Sequence, residues 1–415
     1  MSRPTNPAGY PYVRLASVAL RIPPEEGPPE FTLALDSVNS GTGSLSSDPW
    51  SQTAAVGNRY EPGDVLFGKL RPYLAKVWVA DRIGNYVGDF MRIVPRDSFD
   101  SNFLKYVFLT PEFISKATAE SVGSKMPRTE WDALKDLQIP SPTRMQQQQI
   151  ADYLDHETAE IDAFITELND LKSLLLIRRR TTIDDAFEST RAPAVALKYL
   201  GELNSGLTLG KKYEGPTQEF PYLRVANVQA GRVDLKNITT VSVPLTVAAN
   251  SLLRVGDVLM TEGGDRDKLG RGALWQGEID RILHQNHIFS FRCNSKLLPE
   301  YLVYGLESTP ARIYFDHTAR QSTNLASTNS AIVKNFRLPA PSVGTQEKVL
   351  DHLHHELTEM QEMLSNADRV IDLARERRAA LITAAVTGQI DVTAKNRPAA
   401  EQLEDDIAHG LHKES

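Results

Sequence analysis

The 415-residue chain predicts an α+β fold built as an internal repeat, and three features carry that prediction. Aligned with itself at an offset of 199 residues, it superposes Ile139-Pro140 on Leu338-Pro339, Pro142 on Pro341, Gln147 on Gln346 and Asp152 on Asp351. Leu154, His156 and Glu157 then meet Leu353, His355 and Glu356, and Arg178-Arg179 and Ile183 fall on Arg377-Arg378 and Ile382 without a gap. Each aligned stretch follows a proline-rich stop, IPSPT at 139–143 and LPAPS at 338–342, which ends an extended segment and opens a long helical pattern. Within those patterns apolar residues recur at sevens, the spacing of a helix that presents one seam to a partner.

Residues 1–143 read as a mixed block, with a strand-like run over 76–80, glycine turns and a short helix near 102–118. Residues 144–190 follow as the first long helix. Glycine and proline are absent from 145–190, Leu154, Ile161, Leu168 and Leu175 recur at sevens, and Ile150, Phe164 and Leu171 fill the second seam position. Residues 191–342 form a second mixed block, strand-like over 288–292 and helical near 299–313. Pro62-Gly63-Asp64-Val65-Leu66 matches Val255-Gly256-Asp257-Val258-Leu259 at an offset of 193, so the two blocks are related but have drifted by insertions. Residues 343–390 are the second long helix, with Leu353, Met360, Ala367, Ala374 and Leu381 on the seam beside Val349, Met363 and Val370. The polar stretch 391–415 lacks periodicity and is expected to be disordered or loosely docked.

Two helices with one register are expected to pack on each other as an antiparallel coiled coil about a pseudo-twofold axis. On that geometry Glu157 approaches Arg377 while Glu356 approaches Arg178. Such seam charges set orientation more than they add stability.

At 46.1 kDa the chain exceeds what one core serves, and 41% hydrophobic with 24% charged residues is ordinary globular composition. Cys293 is the sole cysteine, which rules out an intramolecular disulfide and a cysteine-based zinc cluster. The opening residues lack the apolar core of a secretion signal, and no run approaches the roughly 18 apolar residues of a membrane span, so the expected location is the cytoplasm, with no membrane partner. The net charge of −7 is unevenly spread: 145–190 carries −6, 343–388 carries −3 and 389–415 carries −3, whereas 1–144 is neutral and 191–342 carries +5. Acidity gathers in the helices and tail, which leaves the mixed blocks open to a polyanion.

The motifs of catalysis are missing. No GxxxxGK[ST] loop cradles a nucleotide phosphate, and Gly41-Thr42-Gly43 is not continued into a dinucleotide fingerprint. Asn6-Pro7-Ala8-Gly9-Tyr10 falls short of the Asn-Pro-Pro-aromatic run of amino-methyltransferases. No Pro-Asp dipeptide opens a metal-nuclease triad, and Asp170-Leu171-Lys172 and Asp234-Leu235-Lys236 read as solvated charge. His284 with His287, and His352, His354 and His355, raise the question of a metal, but no carboxylate or cysteine set completes a shell. The expectation is a non-enzyme with no cofactor and no metal of its own.

The run Gly63-Asp64-Val65-Leu66-Phe67-Gly68-Lys69-Leu70-Arg71-Pro72-Tyr73-Leu74, the tetrapeptide Lys125-Met126-Pro127-Arg128 and the ending Glu376-Arg377-Arg378-Ala379-Ala380-Leu381-Ile382-Thr383-Ala384-Ala385-Val386-Thr387-Gly388-Gln389-Ile390-Asp391 resemble the specificity (S) subunit of type I restriction-modification enzymes. The first helix departs from that ending, with Arg180-Thr181-Thr182-Ile183-Asp184-Asp185-Ala186 in its place. The resemblance implies two globular target-recognition domains, 1–143 and 191–342, each reading half of a bipartite double-stranded DNA sequence and separated by the two helices. It further implies docking of two methyltransferase (M) subunits, which bind S-adenosylmethionine, and recruitment of ATP-dependent motor-nuclease (R) subunits. On this reading the helices act as a ruler for the gap between half-sites.

Sequence is read by side chains reaching base edges, while Lys and Arg on phosphates supply affinity. The first block offers Lys69, Arg71 and Lys76 around one loop, with Tyr73 expected in the core, and Ser124, Lys125 and Arg128 around another. The second offers Arg266, Lys268 and Arg271 in the glycine-rich TEGGDRDKLGRG, and Arg320, Gln321 and Asn324 in a polar run onto which the 199 offset carries Lys125. Two other classes stay open on the residues alone: a single-chain DNA-modifying enzyme, and a coiled-coil scaffold that never touches DNA.

Overall fold

The computed structural model describes residues 8–28, 30–50, 57–211, 213–229, 231–264, 269–321 and 326–392. The polar stretch from 393 onward, expected to be loosely held, lies outside them. The chain forms two compact units, residues 1–169 with 368–415 and residues 170–367. These boundaries differ from those of the mixed blocks, because each unit joins one block to part of both long helices.

The first unit is built on a four-stranded antiparallel sheet in the order Ala19–Arg21, Phe90–Pro95, Val65–Gly68, Val77–Val79. Val65, Phe67, Val77, Met91 and Ile93 turn one face of it to the helices Ser101–Leu109 and Pro111–Ala119, where Phe67, Phe108 and Phe113 meet edge-on or tilted. The first helix starts where the Asp100 carboxylate accepts from the backbone N–H groups of Asn102 and Phe103; the second starts at Thr110, with proline in its first turn. The second unit repeats this sheet as Gly201–Ser205, Ile288–Cys293, Asp257–Thr261, Gly272–Leu274, followed by the helices Pro299–Glu307 and Thr309–Thr318. In both, the strand leading into the block pairs antiparallel with the one leaving it: Tyr12–Arg14 with Gln138–Pro140, and Ala194–Ala196 with Arg337–Pro339.

The long helices span Arg144–Ser189 and Val343–Val386. In the first unit Ile150 and Leu154, from the start of one, share a core with Ile382, Ala385 and Val386 from the end of the other. The second unit mirrors this, with Ile183 and Phe187 sharing a core with Leu353 and Leu357. The expected seam is buried at Leu154, Leu175, Leu353, Met360 and Ala367, but Phe164 and Leu171 are each 46% exposed and Met363 is 51% exposed. Leu154, Leu175, Leu353 and Met360 belong to the cores of the two blocks, whereas Phe164 and Leu171 belong to neither.

Two buried polar devices recur in both units. The Asp64 carboxylate accepts from Arg92 at 2.6 Å and from the Glu61 N–H; Asp257 accepts from Arg292 at 2.7 Å and from the Arg254 N–H. Each aspartate thus ties a strand to its neighbour and closes the turn before it. Removing one partner of such a buried pair is costly, about 3–5 kcal/mol, because the other charge is left without compensation.

The second device is a glutamine at the start of each long helix. Gln147, 1% exposed, donates to the Pro142 carbonyl at 2.8 Å and the Ser98 carbonyl at 3.4 Å, and accepts from the Asp100 N–H at 2.7 Å. Gln346, fully buried, donates to the Pro341 carbonyl at 2.9 Å and the Lys296 carbonyl at 2.8 Å, and accepts from the Leu298 N–H at 2.9 Å. Backbone groups that a loop would otherwise leave unmet are satisfied by one planar amide.

The helix ends differ. After Val386 the chain turns at Gly388, whose φ of 70° suits glycine, and a Cβ there would stand 2.6 Å from that of Ala8. The first helix instead turns at Arg191, a non-glycine residue with φ 48°. The shorter ending noted in the first copy is therefore a different cap.

Gln147→Leu and Gln346→Leu should each lower stability by about 1–3 kcal/mol, since a buried N–H loses its acceptor. Urea unfolding followed by circular dichroism checks this, and equal values for Gln147→Leu and wild type would contradict the role.

Candidate nucleic-acid interface

In the first unit the loop after strand Val65–Gly68 is forced outward by two non-glycine residues in the left-handed region, Arg71 at φ 51° and Ala75 at φ 47°, which flank the single turn Pro72–Leu74. Such positions cost of order 1–3 kcal/mol each and need support. The support comes from a second loop. The Arg71 N–H donates to the Pro127 carbonyl at 2.7 Å, the Thr129 N–H donates to the Lys69 carbonyl at 3.1 Å, and Leu70 and Val122 both bridge to Arg128. Gly123, at φ 106°, makes the tight return that lets Val122 face Arg128. Loops 69–76 and 122–129 are thereby one platform.

Its candidate residues divide into two groups. Arg71, Ser124 and Lys125 are exposed, and neither the Arg71 guanidinium nor the Lys125 ammonium has a partner among the described residues. Arg128 is held by Asp89 through two bonds of 3.1 and 2.9 Å, which raise its pKa, and Lys69 meets Glu130 at 3.3 Å. Lys76 turns inward, where its ammonium donates to the Leu35 carbonyl at 2.7 Å and burial lowers its pKa. Lys76 therefore braces the loop and is not presented to a ligand.

Tyr73, expected in the core, is 51% exposed, because the left-handed Arg71 swings the turn away from the sheet. Val122 and Met126 stand out beside it at 81% and 55%. Sequence reasoning missed all three. The signal available was that apolar residues sat in a glycine-containing return with no strand or helix period to bury them.

The second unit carries the same platform. Gly263–Gly264 pairs with Ala326–Ser327, which pairs with Arg320–Gln321, and the Thr328 N–H donates to the Glu262 carbonyl at 2.7 Å as Thr129 does to Lys69. Arg320 is exposed on this ribbon. Arg266, Lys268 and Asn324 lie outside the described residues. Arg271 is not on the ribbon but lines a cleft with Arg179, Arg180, Arg232 and Arg312.

The two histidines of the HxxH part company. His284 is buried, its Nδ1 2.8 Å from the Ile288 carbonyl, and burial lowers its pKa; His287 faces out and meets Glu262 at 2.7 Å. His354 lies 2.7 Å from Glu300. Among the described residues no group of three or more His, Cys, Asp or Glu is placed to hold a metal, and no helix is long and apolar enough to cross a membrane.

Of the helix charges, Glu157 and Arg377 line one groove with Ile161, Phe164 and Ala374, yet form no ion pair with each other. The pair found there is Asp162 with Arg378 at 2.9 Å. Arg377 and Arg378 point about 100° apart on the helix, and Arg378, 6% exposed, is the one turned inward, donating to the Gly41 and Thr42 carbonyls at 2.8 Å. Glu356 and Arg178 likewise form no ion pair among the described residues. The aligned counterpart of Arg378 is Arg179, which pairs with Glu307 at 2.9 Å.

The chain is thus a duplicated protein, two repeats of one α+β unit, each with a two-loop platform and a share of two long helices. The chain is similar to the type I restriction enzyme EcoKI specificity subunit of Escherichia coli, with 22% identity over 272 residues, 62% of this chain and 58% of that protein. It is also similar to the putative type I restriction enzyme MjaX specificity subunit of Methanocaldococcus jannaschii, with 23% identity over 158 residues, 36% of this chain and 37% of that protein. The chain thus covers less than two thirds of the length of these relatives. A solved structure concerned with complex assembly and conformational transition of the type I R-M system shares the fold, with a TM-score of 0.59 and 16% identity over 93% of this chain and 100% of that one. No protein-family profile matches. The likeness to type I specificity subunits, read first from the residues, is found again in these relatives.

Arg71→Ala and Lys125→Ala should each weaken binding to duplex DNA without regard to sequence and reduce the slope of log K against log salt by about 0.9 per lost phosphate contact. Lys76→Ala should lower thermal stability and leave that slope alone. Fluorescence anisotropy across a salt series reads the slopes, and thermal melting followed by circular dichroism reads the stability.

Proposed function

We propose that the chain is the DNA sequence-specificity subunit of a type I restriction-modification complex. Each platform reads one half of a bipartite target, and the two long helices pair as an antiparallel coiled coil that sets the gap. The observation that carries this reading is the duplicated platform. The same backbone bond joins the same two loops in each unit, while the exposed side chains differ, as two readers of different half-sites require. The chain itself is not an enzyme and carries no cofactor for the chemistry of the complex. S-adenosylmethionine belongs to two methyltransferase subunits docked on the helices, and ATP to motor-nuclease subunits recruited by the assembly.

The first long helix offers a docking face of suitable chemistry. Leu171, Leu174 and Ile177, spaced by three, stand 46%, 63% and 63% exposed, a stripe that an apolar helix of a methyltransferase subunit would cover. Leu174→Glu with Ile177→Glu should abolish co-purification with the methyltransferase subunit while leaving the circular dichroism spectrum unchanged; full retention of the complex would move the docking face elsewhere.

Four residues inserted in one long helix add about 6 Å at about 1.5 Å per residue, near two base-pair steps of about 3.4 Å. Methylation-site mapping of the assembled insertion variant should show both half-sites intact and the gap between them altered. A change in the half-sites themselves would overturn the ruler.

A further inference from the structure

The second unit contains a cleft of about 710 Å³ where the hairpin at 228–233, the helices Pro299–Glu307 and Thr309–Thr318 and its parts of both long helices come together. The internal repeat supplies a built-in comparison for it. At the offset of 199, Arg179 corresponds to Arg378, Arg180 to Ala379 and Arg312 to Phe113. The bond from the Gly231 N–H to the Gly272 carbonyl corresponds to that from Gly41 to Ala75, so Arg232 stands where the first unit has Thr42, and Arg271 where it has Leu74. Four arginines have thus entered the second copy at one place.

In the first unit the place is closed by contacts within the unit, since Arg378 is spent on two hairpin carbonyls and Asp162. In the second, Arg179 turns to Glu307 and Arg312 donates to the Leu269 and Leu306 carbonyls. The guanidinium groups of Arg180 and Arg232 are exposed on the cleft and form no hydrogen bond or ion pair among the described residues. Of the five guanidinium groups of the lining, those of Arg179, Arg271 and Arg312 are engaged, which leaves Arg180 and Arg232 facing the cleft beside the single carboxylate of Glu362. Gathering that excess of positive charge is unfavourable unless an anion answers it.

We infer that this cleft binds a phosphate-bearing ligand of the nucleotide class. A guanidinium offers a planar fork of donors that matches phosphate oxygens, whereas a lone carboxylate would satisfy only one of them. Leu176, Ile183 and Leu357 form an apolar wall for the part of the ligand that carries no charge, and the volume falls in the range of about 300–1,000 Å³ typical of small-molecule sites. The inference goes beyond the DNA-reading role and does not depend on it.

The test is calorimetric titration of the purified full chain with ATP and, separately, with pyrophosphate, for wild type and for Arg180→Ala with Arg232→Ala. Both side chains are exposed, so the variant should keep its circular dichroism spectrum, and Arg180→Lys with Arg232→Lys serves as the charge-preserving control. Expected are one saturable site per chain, tighter binding of ATP than of pyrophosphate, at least tenfold weakening in the alanine variant and a smaller loss in the lysine variant. Saturable binding of pyrophosphate alone would keep the phosphate chemistry and assign an inorganic source. Absence of saturation by either ligand at millimolar concentration, or unchanged affinity in the alanine variant, would overturn the site. A short DNA duplex that displaces ATP would overturn the nucleotide assignment in favour of the DNA backbone.

Discussion

One constraint recurs at the start of both long helices: a buried amide ties the first turn of each to its own block. Gln147 and Gln346 each satisfy backbone groups of the loop that precedes the helix and of the loop at the base of the helical pair upstream of it. A helix joined only through a flexible proline-rich linker could swing relative to its block. An amide is well suited to the task, because it presents donor and acceptor in one plane and carries no charge to desolvate. The substitution to a carboxylate would lose the donor, and the substitution to an aliphatic side chain would lose both.

The aspartate and arginine pairs work at the next level. Asp64 with Arg92 and Asp257 with Arg292 hold the central strands of each sheet in register while capping the turn in front of them. That turn leads through the strand into the platform loop. The position of Arg71 and of Gly263 thus follows from a buried charge pair several residues upstream, which explains why the Gly-Asp-Val-Leu run matches in both copies although the loops after it do not.

Much of this architecture was legible beforehand, and the reasons are local. Heptad spacing, proline stops and the self-alignment identify the two helices and the duplication, since each depends on short-range geometry that one sequence displays. The buried glutamines were visible as matched letters, but their task was not, because their partners lie some fifty residues upstream. Legibility fell at the platform. Tyr73 was assigned to the core because aromatic residues usually bury, and only the left-handed backbone at Arg71, a departure that few non-glycine residues make, reverses that expectation. Lys76 and Arg71 look alike in the sequence, yet a carbonyl at Leu35 claims one and leaves the other facing outward.

The helix charges carry the sharpest lesson about repeats. Pairing Glu157 with Arg377 follows from symmetry alone, and symmetry chose the wrong one of two adjacent arginines. Arg378 faces inward because two hairpin carbonyls wait for it, and its counterpart Arg179 finds no such carbonyls and takes Glu307 instead. A duplicated scaffold is therefore conservative in the groups that complete its own hydrogen bonds and free to diverge wherever a partner changes. In the second unit Arg179 makes no bond to the hairpin carbonyls among the described residues, and the positions beside it hold arginines where the first unit has Ala379, Phe113, Thr42 and Leu74.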